Sequence, residues 1–138
     1  MMGLAEYCGG LTAKGLEAPV ATLLESTIRC CLFCVALGTR DEKEAVAGLW
    51  VSRRPGASTN ITDAIAQAVY QSTLGAAVDL DPMSIGPAHL ALPATVAALV
   101  AAELLGKQSD QAVAGAVLAG IEAGGRIRAA LIVDESAT

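Results

Sequence analysis

Aromatic residues are scarce in this chain, whose 138 residues include one phenylalanine, one tryptophan and two tyrosines. Strands favour aromatic and β-branched residues, whereas the alanine and leucine that are abundant here favour helices. The scarcity argues against a β-sandwich and predicts an all-α fold. A chain of this length can bury a core without disulfides or a structural metal. We therefore expect one compact helical domain over residues 1–138, built from about five helices.

Clustered positive charge is also lacking. The formal net charge is −5, and the nine lysine and arginine residues are scattered along the chain. Binding to nucleic acid or to an anionic membrane surface requires a basic patch or stripe. The sequence therefore argues against nucleic acid and against a membrane surface as partners.

The sequence also lacks an evident targeting signal. Residues 1–10 contain no basic segment followed by an apolar run and a small-residue cleavage site. The most apolar stretch, residues 89–105, is shorter than a usual membrane span and rich in alanine. It carries His89 and Pro93 near its start and Glu103 near its end. We interpret this stretch as a buried core helix, and we expect no membrane span and a cytoplasmic location.

Helical periodicity predicts where the helices lie. Apolar side chains recur at helical spacing from Val20 to Val35, with Pro19 in the first turn and Gly38 as the expected C-terminal stop. Residues 1–15 are expected to form a short helix or coil. The other predicted helices cover residues 41–50, residues 62–77 with Ile65, Ala68, Val69 and Ser72 on one face, residues 93–105 begun by Pro93 and closed by Gly106, and residues 109–131 capped by Ser109.

The last predicted helix contains four glycines, namely Gly115, Gly120, Gly124 and Gly125. Each weakens the helix by about 1 kcal/mol relative to alanine. Small residues at four-residue spacing allow two helix backbones to approach closely. The partner helix lies either inside the domain or across a dimer, and we favour the internal contact.

Three cysteines, Cys30, Cys31 and Cys34, lie on the first long helix. A zinc site needs three or four converging ligands, and the other candidates, Cys8 and His89, are not at a recognisable spacing. Buried reduced cysteines behave as small apolar residues. We therefore expect no metal site.

One turn gathers groups that could perform acid–base chemistry: Asp79, Asp81, Ser84 and His89 fall within eleven positions between apolar helices. Neighbouring acids tend to have raised pKa values and histidine titrates near neutrality, so the set could abstract and return a proton. Alternatively, the two aspartates cap backbone amides and His89 packs. Tyr70, in the middle of a predicted helix, is expected to pack. The residues alone leave both interpretations of the turn open.

Residues 3–131 contain three segments, residues 13–38, 64–81 and 92–131, that resemble in order the N-terminal helical region of the MmgE/PrpD family. That family includes 2-methylcitrate dehydratase and cis-aconitate decarboxylase. The most specific matches are Val-Asp-Leu-Asp at residues 78–81, the helix that begins near Pro93, and the pattern G-x-E-x-x-x-R-I from Gly120 to Ile127. The resemblance implies a cofactor-independent, generally dimeric enzyme whose helical domain joins a lid domain over a pocket for small polycarboxylates.

The acidic motif of the family reads like D-F-D-D-T and is followed by His-Pro. Asp79 and Asp81 match its start, whereas Pro82 and Met83 replace the next acid and the threonine. Alignment on the aspartates places His89 at the catalytic histidine, and ungapped alignment on the later proline places Gly86 there instead. The lid and the later basic groups of the family have no counterpart in this sequence.

Without cationic clamps a tricarboxylate substrate is disfavoured. We therefore expect a small, stand-alone relative that acts as a lyase, isomerase or cyclase, without cofactor, on a small or hydrophobic biosynthetic intermediate. His89 would be the general base or acid, Asp79 and Asp81 would orient it or share its proton, and Ser84 or Tyr70 would supply a hydrogen bond. A homodimer is expected. The alternatives are a non-catalytic binding module and one subunit of a split lyase.

Overall fold

The computed structural model describes residues 3–11, 15–41, 61–80, 89–106 and 108–135. These residues form five α-helices and no strand, which confirms the all-α prediction. The helices are α1 (Leu4–Gly10), α2 (Ala18–Asp41), α3 (Ile61–Ala76), α4 (Ala91–Leu104) and α5 (Asp110–Glu135). The helix predicted over residues 41–50 lies outside the described residues except for Asp41, which ends α2.

Helix α4 begins at Ala91, two residues before the predicted start. Pro93 therefore occupies the first turn, where a backbone N–H has no intrahelical acceptor and a proline causes little loss. The end of the helix is as predicted, because Gly106 has φ +83°, and its N–H donates to the carbonyl of Glu103 at 3.2 Å. Ser109 also caps α5 as predicted, by accepting a hydrogen bond from the Ala112 N–H at 3.2 Å.

Gly38 does not end α2, so this prediction was wrong. The helix continues to Asp41, and Gly38 is buried where α2 crosses α3. A Cβ atom at Gly38 would overlap the backbone carbonyl oxygen of Leu74, and one at Gly75 would lie 2.9 Å from Leu92 Cδ1. Glycine is needed at Gly38 because the two helix backbones almost touch there.

Two of the four glycines of α5, Gly120 and Gly124, have the internal partner that we favoured. A Cβ atom at Gly120 would lie 2.9 Å from the Cβ atom of Ala94, and one at Gly124 would lie 3.0 Å from Leu90 Cδ2. The partner is thus the first part of α4. The loss of helix propensity in α5 is offset by this close packing.

Helix α4 lies at the centre of the described structure and contacts α2, α3 and α5. Its buried side chains join those of the neighbouring helices in two apolar clusters, which include Cys31, Ala64, Leu92, Val96 and Val100 in one and Leu24, Ala98 and Val117 in the other. Cys31 and Cys34 are fully buried thiols, as expected for small apolar core residues.

Helix α2, rather than residues 89–105, is long and apolar enough to cross a membrane by length and composition. Its most apolar window has a mean hydropathy of 1.8, and 17% of that window is buried. Four residues of α2, namely Leu24, Cys31, Cys34 and Gly38, are buried. Core helices and signal sequences meet the same criterion. The cytoplasmic location therefore stays a prediction.

Candidate functional site

The structure describes two of the four candidate residues of the predicted acidic turn, Asp79 and His89. Both are exposed, Asp79 just after α3 and His89 two residues before α4. Asp81 and Ser84 lie outside the described residues. His89 thus lies close to the N-terminal end of α4, which contacts α2, α3 and α5.

A groove between α3 and α4, here called the α3–α4 groove, contains His89. Its volume is about 510 Å³. The walls are mainly apolar, and the polar groups are the imidazole and two hydroxyls. The lining residues are Ala68, Val69, Ser72, Thr73 and Ala76 from α3, His89, and Leu92, Pro93 and Ala97 from α4. An apolar groove with a few polar groups is typical of a small-molecule site.

The two hydroxyls differ in what they can offer a ligand. Thr73 Oγ1 already donates to the carbonyl of Val69 at 2.8 Å, so its remaining capacity is to accept. Ser72 lies beside it on the lining and is half-buried. Ser72 is therefore the better candidate donor to a ligand oxygen. Our interpretation of the sequence placed it on one face of the helix with Ile65, Ala68 and Val69.

That face is not the buried face of α3. Ile65 and Val69 are 58% and 41% exposed, whereas Ala64 and Leu74 are buried. Alanine and glycine, which are only weakly apolar, occupy several positions around α3, so periodicity alone does not determine which side faces the core. The rotation of α3 is what turns Ser72 towards the groove.

Tyr70 lies apart from the groove lining. It is 9% exposed and forms a small buried cluster with Leu74. This is the packed position expected for a tyrosine in the middle of a helix. The structure therefore does not bring Tyr70 together with His89 as a hydrogen-bond donor to a substrate in the α3–α4 groove.

Asp79 has an unusual backbone conformation. It is the one described non-glycine residue with positive φ, at +51°, and its N–H donates to the carbonyl of Ala76 at 3.0 Å. Aspartate tolerates this left-handed conformation better than most residues, and glycine adopts it without strain. The turn after α3 therefore depends on the residue type at this position.

We expect Asp79→Gly to be more stable than Asp79→Ala by about 1 kcal/mol, because an alanine in the left-handed conformation is strained and a glycine is not. Urea denaturation of the two variants measures this difference in the free energy of unfolding. Equal stabilities would mean that φ at residue 79 is not positive in solution.

The G-x-E-x-x-x-R-I pattern forms a polar cluster away from the groove. Arg126 Nε donates to Glu122 Oε1 at 2.9 Å, and the Tyr7 hydroxyl donates to the same oxygen at 3.4 Å. The guanidinium also lies 4.2 Å from the centre of the Tyr7 ring. The hydrogen bond to Glu122 raises the pKa of Arg126 above its ordinary value. The cluster joins α1 to α5, which is a structural role.

Metal binding has no support in the ranges that the structure describes, since no three His, Cys, Asp or Glu side chains there could hold an ion together. Comparison of the chain with protein-family models, curated proteins and solved structures finds no match. The resemblance to the MmgE/PrpD family therefore stays a prediction. The function has to be argued from the α3–α4 groove.

Proposed function

We propose that the protein is a cofactor-free acid–base enzyme that acts on a small, largely apolar carbonyl compound in the α3–α4 groove. The observation that supports this proposal most is the position of the single histidine of the chain in the lining of an apolar groove. General acid–base catalysis by a positioned histidine contributes about 10²–10⁴ to a rate. His89 is the residue to which we assign that role.

The groove supports a simple sequence of proton transfers. The imidazole of His89 removes a proton from the carbon next to the carbonyl group, while the Ser72 hydroxyl donates a hydrogen bond to the carbonyl oxygen. The same imidazole then returns the proton to the substrate at another carbon or to a leaving group, which gives isomerisation or elimination.

The apolar lining also bears on the substrate. None of the described residues in the groove lining is Lys or Arg, so a polycarboxylate would find no cationic partner there. A neutral or singly charged intermediate fits better. In this proposal the chain is a diverged relative of the MmgE/PrpD lyases, works in the cytoplasm, and uses Asp79 and Asp81 to orient the imidazole.

A second candidate function is that of a subunit in a larger complex, either as a homodimer or as one chain of a split lyase. The exposed apolar side chains of α2 support it, because Leu32 and Phe33, which are consecutive, are 45% and 59% exposed and Leu23 is 68% exposed. A contiguous patch of such side chains often marks an interface. Light scattering of the purified chain, alone and with candidate partner chains, separates these possibilities.

Blocking the groove tests the proposed function. Ala97 is exposed and lines the groove, so Ala97→Phe fills the site without entering the core. We expect deuterium incorporation into 2-heptanone in D₂O, followed by NMR, to fall at least about tenfold, because a displaced substrate loses its alignment.

The matched control is Ala36→Phe, on an exposed position of α2 that lines no described groove. It should retain the exchange rate of the unmodified chain. Equal rates in both variants would mean that the reaction does not take place in the α3–α4 groove.

A further inference from the structure

A second cleft lies on another side of the molecule, between α2, α4 and α5, and is here called the α2–α4–α5 cleft. Its volume is also about 510 Å³, and it shares no lining residue with the α3–α4 groove. Its inner wall is apolar and is formed by Leu24, Ile28, Leu99 and Val113. Leu24 belongs to the buried core, and the other three side chains are half-buried. A cleft of this size can hold a small organic molecule.

The rim of the α2–α4–α5 cleft carries three charged side chains, Glu25, Arg29 and Asp110. Arg29 is already engaged, because it forms an ion pair with Glu25 one helical turn away. No cation of the described residues pairs with Asp110. The rim therefore has one negative charge in excess, placed beside an apolar wall.

We infer that the α2–α4–α5 cleft is a second binding site, for a small molecule with an apolar body and one positively charged head group. The body would lie against Leu24, Ile28 and Leu99, and the head group would approach Asp110. The inference does not rest on the proposed function, since the two sites have no residue in common.

Three probes with the same eight-carbon alkyl chain separate the contribution of the wall from that of the charge: octylammonium, octanol and nonanoate, each below its micelle concentration or solubility limit. We expect calorimetry at low salt to give about tenfold tighter binding of octylammonium than of nonanoate, since the first is attracted and the second repelled by the exposed carboxylate of Asp110. Octanol should lie between them. Nonanoate that binds as tightly as octylammonium would overturn the inference.

Two variants locate the binding. Asp110→Asn should weaken the binding of octylammonium about two- to fivefold, because an exposed charge pair contributes little. The binding of octanol, which has no charge, should not change. Ala21→Trp, on an exposed lining position, should block all three probes. Urea denaturation checks that both variants fold. Unchanged octylammonium binding to either variant, or loss of binding in Ala97→Phe instead, would contradict the assignment to this cleft.

Discussion

Replacing His89 with alanine is expected to lower the rate of deuterium incorporation into 2-heptanone at least about a hundredfold, the low end of the contribution of a general base. The chain has no other histidine, so no second imidazole can take over the proton transfer. The protein must be prepared without a polyhistidine tag for the same reason. His89→Gln, which keeps a polar side chain without a base, should lose as much activity as His89→Ala.

His89 is exposed and precedes α4, so we expect His89→Ala to stay folded, and urea denaturation measures its free energy of unfolding. Lost activity in a fully folded variant would therefore report on chemistry rather than on folding. Near-normal exchange in His89→Ala would rule out the catalytic role. If deuterium incorporation into 2-heptanone is no faster with the unmodified chain than in buffer alone, the enzyme proposal fails and the proposal of a subunit in a larger complex is favoured.

Gly38→Ala is expected to destabilise the fold by about 3 kcal/mol, the upper end of the usual cost of overpacking. The added Cβ atom would overlap the carbonyl oxygen of Leu74, which belongs to backbone and cannot move aside as a flexible side chain can. Helices α2 and α3 would have to separate, and the buried contacts between them would loosen. Urea denaturation followed by circular dichroism measures the loss.

Gly9→Ala is the matched control for Gly38→Ala. Gly9 is also helical, but a Cβ atom there would meet nothing within 4 Å. This substitution should leave stability unchanged or raise it by up to about 1 kcal/mol through helix propensity. A Gly38→Ala protein as stable as Gly9→Ala would contradict the close crossing of α2 and α3.

The sequence predicted the helices well because their signals are local. Gly106 and Ser109 act within one turn of the chain, and the structure places both where local rules do. Gly38 carries the same local signal as Gly106 but serves another purpose. Its role depends on Leu74, which is 36 positions away, and no local pattern contains that information.

The candidate site was only partly predictable for a related reason. The chemistry of an imidazole singled out His89, but the α3–α4 groove exists only because two particular helices lie side by side. Ser72 and Thr73 belong to that groove through the rotation of α3, and the alanine and glycine positions spread around that helix do not fix the rotation in advance. Tyr70, on the same helix, is turned to another side.

The central position of α4 affects how well the α3–α4 groove resists local unfolding. A helix that packs against three others does not unfold by itself, since its unfolding would break the contacts with all three neighbours. Fluctuations that fray α1 or the end of α5 would leave α4 in place. One wall of the groove, with His89 beside it, should thus persist until the whole bundle unfolds.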